Sequence, residues 1–176
     1  VEGPAALAGD LRGLSEFLMD LQDEPEESAD ILDLCTETAI VFARAQVKAG
    51  ADTIGVGDAI CSQISPAVHA EHIAPRQERL FRAIREAGAR VRLHICGQTG
   101  HLQDAFRGMP IDIFDCDHLV DLAETRRRLG PEVVLAGNLD PVGGLRFAEA
   151  SSVRPSLEAC RKAAGKPFMV CAGCEV

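Results

Sequence analysis

The sequence predicts an α/β fold: about five parallel strands with covering helices, forming part of a (β/α)8 TIM barrel. Three observations carry that reading. Five times a helical segment ends at glycine and a short β-rich run follows: "GADTIGVGD" from Gly50, "GARVRLHICG" from Gly88, "GMPIDIFDCD" from Gly108, "GPEVVLAGNLD" from Gly130 and "GKPFMVCAGC" from Gly165. Helical stretches separate the runs, and such alternation implies a parallel sheet covered by helices. The runs also end in chemically capable residues: Asp58; His94 and Cys96; Asp115 and Asp117; Asn138 and Asp140; Cys171 and Cys174. The carboxyl ends of barrel strands are where such enzymes keep their active sites.

Each element has a local cause. Residues about 26–49, behind the turn signal Asp23-Glu24-Pro25, form a helix whose spacing puts Ile31, Leu34, Cys35, Val41, Phe42 and Ala45 near one face. A second helix, about 75–87, starts at Pro75 and buries Leu80, Phe81 and Ile84. Thr99 is placed to cap a short helix ending at Arg107, and Ser151 or Ser152 one ending at Ala164. "LVDLAETRRRL" supplies another, its arginines 126–128 solvated and favourable at a helix end. Glycine after the last turn takes the left-handed cap conformation, so each glycine is a helix stop before a strand start. The strand runs are nearly continuously apolar, as expected when both faces are buried. A Rossmann fold is the rival, but no G-x-G-x-x-G follows any strand and no P-loop is present.

Five strands fall short of a closed barrel of typically ~250 residues. The sequence begins as though just after a strand and stops after a strand end. Residues 1–176 are therefore read as a single barrel domain incomplete at both ends. Its unpaired sheet edges would favour association as a homo-oligomer.

Composition narrows the function. With 47% hydrophobic and 26% charged residues the chain can bury a core. A net charge of −9 argues against nucleic-acid or anionic-membrane partners. The absence of Trp and Tyr removes a stacking platform for single strands. No run approaches the ~18 apolar residues of a membrane span, and no leader pattern opens the sequence. The seven cysteines are odd in number, and Cys35 and Cys160 read as small buried hydrophobes in helices. A reduced, cytoplasmic protein fits this usage. His69, His72 and His101 are expected at the surface and His118 at a helix start.

The stretch "ARVRLHICGQTG", residues 89–100, holds the strongest chemical signal. His94 and Cys96 are two apart on a strand, so their side chains point the same way, about 6.5–7 Å apart along the chain. Both can reach one ion, at ~2.0 Å for nitrogen and ~2.3 Å for sulfur. A third ligand must come from another strand end, and Cys171 and Cys174 are both candidates. Two cysteines and a histidine with one open position make a catalytic zinc pattern, since structural zinc closes with four protein ligands. A core cysteine beside a hydrogen-bonded histidine is the plainer alternative, and the Cys171–Cys174 pair admits a redox reading. Asp58 is suited to orient a substrate, steady His94 or cap a turn. Asp117 and Asn138 are rim hydrogen-bonders for substrate or metal ligands. Asp140, before Pro141, reads as a turn former and Glu175 as exposed.

The blocks "LRGLSEFLMDLQDEPE", "AQVKAGADTIGVGDAICSQISP", "VRLHICGQTG", "DIFDCDHLVDLAETRRRLG", "VVLAGNLDPVGGL" and "CAGCEV" run nearly end to end. In that order they resemble the uroporphyrinogen decarboxylase superfamily, specifically its cobalamin-dependent methyltransferase branch. "AGNLDP" is shared with the decarboxylases, whereas "HICG" followed by "GCE" resembles the methyltransferases' zinc motif. The resemblance implies His94, Cys96 and Cys174 as zinc ligands, with Cys171 an extra thiol. It implies methyl transfer between a methyl-corrinoid (methylcobalamin), free or on a corrinoid protein partner, and a small-molecule thiol such as coenzyme M, or a related demethylation. Asp58, Asp117 and Asn138 are the rim residues expected to assist. Gln98 stands where Asn is common in the family. Uroporphyrinogen decarboxylation without metal is the rival activity, and a non-catalytic zinc- or corrinoid-binding fragment the rival of another class.

Overall fold

The computed structural model describes residues 1–175; Val176, the end of the "CAGCEV" block, lies outside the described residues. Two short helices, α1 (Pro4–Arg12) and α2 (Leu14–Asp23), precede the long α3 (Pro25–Lys48). Then β1 (Thr53–Gly57) leads through α4 (Pro66–Val68) and a wide π-type turn into α5 (Ala74–Glu86). The chain alternates from there: β2 (Arg90–His94), α6 (Gln103–Phe106), β3 (Ile113–Asp115), α7 (Leu122–Leu129), β4 (Val134–Leu139), α8 (Ala150–Ala164) and β5 (Phe168–Ala172).

The five strands form one parallel sheet in sequence order, β1-β2-β3-β4-β5. A sheet of this order with a helix in every crossover is a segment of barrel wall. Glu2 adds an isolated parallel bridge to Gly57 beyond β1. All five punctuating glycines have positive φ, from 67° at Gly165 to 107° at Gly50, the conformation a side chain resists. Among the described residues, no helix is long and apolar enough to cross a membrane.

The core lies between the helices and one sheet face. Ile54, Val56, Val91, Leu93, Phe114 and Leu135 are buried there with Leu32, Phe81 and Ile84 of the helices. The other face carries Thr53, Gly55, Arg92, His94 and Asp115 and walls an open trough. This corrects the expectation that both strand faces are apolar. The strands alternate, and their second set of residues makes a polar concave surface.

Four local expectations also change. In α3 the buried stripe is Ser28, Leu32, Cys35, Thr36, Ala39, Ile40 and Ala43, while Leu34, Val41 and Phe42 are 64%, 66% and 56% exposed. Small side chains let α1 and α5 pack close against α3, so size rather than hydropathy chose its inner face. Thr99 is buried without capping a helix, and Gln98 Oε1 instead accepts the Gly100 N–H at 2.8 Å. Ser152 lies inside α8, its hydroxyl donating back to the Glu149 carbonyl at 2.8 Å. His69 is fully buried, with Nε2 3.0 Å from Gln77 Oε1 and its ring edge-on to Phe106. Cys35 is buried as expected, and Cys160 is partly so.

Candidate metal centre

At the carboxyl rim the sheet brings together three soft donors from two non-adjacent strands. His94 ends β2 and Cys96 follows it; Cys174 follows β5. The His94 Nε2 lies 3.2 Å from the Cys96 Sγ, which lies 3.5 Å from the Cys174 Sγ. All three donor atoms fall within 4.8 Å of one another. Around a tetrahedral zinc with ordinary bond lengths, neighbouring ligand atoms sit about 3.5–3.8 Å apart. The two separations that involve Cys96 already lie within a few tenths of an ångström of those values, and the third is no more than 4.8 Å. Strands β2 and β5 are three spacings apart, roughly 14 Å if the sheet were flat. The inward curvature of the barrel wall removes that gap.

Neighbouring residues hold each donor. His94 Nδ1 donates to the Asp115 carbonyl at 3.1 Å, which keeps the proton on Nδ1 and leaves the Nε2 lone pair free. Asp117 takes the Gly97 N–H on Oδ2 at 2.7 Å and the Leu119 N–H on Oδ1 at 2.8 Å. Its carboxylate thus fixes the loop immediately after Cys96. Asn138 donates to the carbonyls of Asp117 and Val120 at 3.0 and 2.7 Å, tying β4 to the same loop. The Gly173 N–H donates to the Leu139 carbonyl at 2.8 Å, anchoring the segment that carries Cys174. A Cβ at Gly173 would lie 2.4 Å from the His118 backbone nitrogen, so this close approach requires glycine.

Without a cation the Cys96 and Cys171 thiols are held protonated. Burial, with help from Cys174 and Asp117, pushes the Cys96 thiol up to about 11. Cys171 is also pushed up to about 11, by burial and then by Asp115, whose Oδ1 lies 3.5 Å from its sulfur. Cys171 thus faces Asp115 and stands outside the trio. A divalent cation would supply the positive charge that stabilises two adjacent thiolates.

Asp58 occupies a different place. It is fully buried, its Oδ1 accepting the Ala6 N–H at 2.7 Å and its Oδ2 the Gln77 amide at 2.8 Å. Its carboxylate does not reach the His94 ring, and only its backbone N–H meets the His94 carbonyl, at 3.0 Å. Of the roles left open by the sequence, the geometry gives it capping, at the first turn of α1. Desolvation raises its pKa to about 6 despite those hydrogen bonds. Asp140 makes a turn, accepting the Val142 N–H at 2.8 Å. Glu175 is exposed beside the trough, and His118 is exposed with Nδ1 3.2 Å from Asp117. His72 is half-buried, and His101 bonds the Ile64 carbonyl at 3.0 Å.

Below the trio, the trough is a cavity of about 610 Å³. Arg92 reaches across it, with Nε 2.9 Å and Nη2 2.5 Å from Asp115 Oδ2. Sequence reasoning missed Arg92 and Gly173. The signal for Arg92 was present, because it lies two residues before His94 and so shares its face.

The family model for uroporphyrinogen decarboxylase (URO-D) matches residues 1–176. The chain belongs to the uroporphyrinogen decarboxylase family. It is 36% identical over 141 residues to a uroporphyrinogen decarboxylase of Nocardia farcinica (strain IFM 10152), covering 78% of this chain and 40% of that protein. A second relative, the uroporphyrinogen decarboxylase of Rhodococcus opacus (strain B4), is 32% identical over 133 residues, 76% of this chain and 37% of its own length. The chain thus spans about two fifths of these relatives. In three dimensions it is similar to a methyltransferase from Methanosarcina mazei, with a TM-score of 0.84 and 22% identity. That match covers 99% of this chain and 51% of the other, and shows a shared fold.

Proposed function

We propose that this uroporphyrinogen decarboxylase family member takes part in zinc-dependent methyl transfer between a methyl-corrinoid and a small thiol. The observation that carries the reading is the convergence of His94, Cys96 and Cys174 within 4.8 Å at the rim of the sheet. Two cysteines and one neutral histidine suit zinc, and three protein ligands leave a fourth position for a substrate sulfur. When bound, zinc supplies the Lewis acidity that makes an incoming thiol a thiolate at neutral pH.

The chain's own residues do the rest. Two cysteine thiolates and a neutral imidazole balance a divalent charge, so a substrate thiolate would retain electron density for attack on a methyl group. Asp115 orients His94 through its carbonyl, and Asp117, Asn138 and Gly173 hold the two cysteine-bearing loops. The methyl donor belongs above this rim, carried on a corrinoid or a corrinoid protein.

The test is metal content followed by thiol titration. Purified protein should hold one zinc per chain, lost in His94→Ala or Cys96→Ser. The cobalt-substituted protein should gain a thiolate-to-cobalt absorption band when 2-mercaptoethanol is added, and methylcobalamin should be demethylated in its presence. Absence of stoichiometric metal would refute the proposal. A second reading, uroporphyrinogen decarboxylation, is favoured by the 32–36% identity to the relatives of that name. Decarboxylation of uroporphyrinogen by metal-free protein would support it.

A further inference from the structure

The trough beneath the trio contains opposite charges that the proposed chemistry does not use. Arg92 and Asp115 face each other across β2 and β3, with guanidinium and carboxylate side chains 36% and 13% exposed. The strand register puts Gly55 beside Arg92 and Gly57 beside His94. Two glycines therefore leave β1 without bulk along this path, and a Cβ at Gly55 would meet nothing within 4 Å. The result is an open channel leading from the proposed metal position to the ion pair.

Arg92 commits Nε and Nη2 to one carboxylate oxygen, leaving its remaining amino group uncommitted among the described residues. On the other side, Asp115 Oδ1 meets only the weakly donating thiol of Cys171, at 3.5 Å. One guanidinium edge and one carboxylate oxygen thus remain for a ligand. A purely anionic tail arriving at Arg92 would also meet the like charge of Asp115. A zwitterion satisfies both groups, its carboxylate on Arg92 and its ammonium on Asp115.

The scale is that of a short amino acid. Arg92 and His94 leave β2 about 6.6 Å apart, the Arg92 guanidinium reaches Asp115, the register partner of His94, and an extended γ-thiol amino acid spans roughly 5–6 Å from sulfur to carboxylate carbon. From this geometry we propose that the thiol taken by this centre is a thiol-bearing α-amino acid. Sulfur binds at the open metal position and the α-amino and carboxylate groups at Asp115 and Arg92. The inference rests on the metal reading above and names the substrate class of the same site.

The test uses cobalt-substituted protein titrated with L-homocysteine, 4-mercaptobutanoate, 3-mercaptopropylamine and 2-mercaptoethanol, followed by the absorption band and by calorimetry. L-Homocysteine should bind tightest, by roughly ten- to a hundredfold over either single-charge thiol, the range of one charge-assisted hydrogen bond. Arg92→Gln should weaken the two carboxylate-bearing thiols, and Asp115→Asn the two amine-bearing ones, with 2-mercaptoethanol unmoved. If Arg92→Gln fails to fold, Arg92→Lys should weaken the carboxylate-bearing thiols selectively, since an ammonium cannot present the fork. Equal affinities, preference for 4-mercaptobutanoate, or uniform weakening of every thiol by the variants would overturn the inference while leaving the metal centre intact. A failure of every thiol to perturb cobalt would overturn the metal reading itself, and this inference with it.

Discussion

Gly173→Ala probes the centre without touching a ligand. The added Cβ would lie 2.4 Å from the His118 nitrogen and 2.9 Å from the His118 Cα. Both are backbone atoms, which no side-chain rotation can clear. Restoring ordinary contact, near 3.4 Å, means moving the two segments apart by up to about 1 Å. Zinc sites tolerate about 0.2 Å in ligand distance, so a shift of that size removes Cys174 from coordination. The expected result is at least a hundredfold loss of zinc affinity, measured by competition with a chromophoric chelator. Overpacking should also cost roughly 1–3 kcal/mol in urea denaturation, leaving the fold intact by circular dichroism. Gly55→Ala, which meets nothing within 4 Å, is the control and should change neither quantity. Wild-type zinc affinity in Gly173→Ala would refute the claim that this contact sets the position of Cys174.

Three further outcomes follow from named contacts. Cys174→Ser should abolish stoichiometric zinc whereas Cys171→Ser should retain it, as read by atomic absorption, because Cys171 faces Asp115. Asn138→Ala removes the side-chain donor to the Val120 carbonyl and one of the two donors to the Asp117 carbonyl; a loss of about 1–3 kcal/mol in chemical denaturation, with a ten- to hundredfold drop in zinc affinity, is expected. The third concerns Asp58, whose pKa rises from 3.8 to about 6 on folding, so the folded state holds the proton more tightly. Ionising it therefore costs about 3 kcal/mol, a penalty absent below 3.8 and fully present above about 6. Stability relative to Asp58→Asn should fall by that order as pH rises through this window, and parallel pH profiles would contradict the assignment.

The strand grammar was legible because its causes are local. A glycine stop and a short apolar run need no knowledge of the rest of the chain, and all five produced strands in one parallel sheet. The inner face of α3 was not legible in the same way. Its apolar residues surround the axis, and packing against α1 and α5 selected Ala39 and Ala43 over Val41 and Phe42. The burial of His69 depended on Gln77, eight residues on, aligned by the wide turn between α4 and α5. At the site, His94 and Cys96 share a strand face, which the period of two reveals. The place of Cys174 beside them depends on how far the wall curves across β3 and β4, a property no single segment encodes. The Arg92–Asp115 pair was hidden for a related reason: each residue looks like an ordinary break in an apolar run until register pairs Asp115 with His94 and so makes it the diagonal neighbour of Arg92.

The scaffold and the site also carry different kinds of evidence, since one fold hosts several chemistries. Similarity to the decarboxylases extends over 76–78% of the chain. The donor trio adds little to that scaffold. Cys35, Cys61 and Cys116 are buried and serve as small apolar fillers, whereas Cys96 and Cys174 are only half-buried. Their sulfurs lie within hydrogen-bonding reach of each other, and that of Cys96 also of His94. Packing two thiols and an imidazole nitrogen against one another at an open rim buries little apolar surface, and its hydrogen bonds are weak sulfur ones. The arrangement makes physical sense when a cation holds the three atoms together. For that reason metal analysis discriminates between the two activities more sharply than any further comparison of the scaffold.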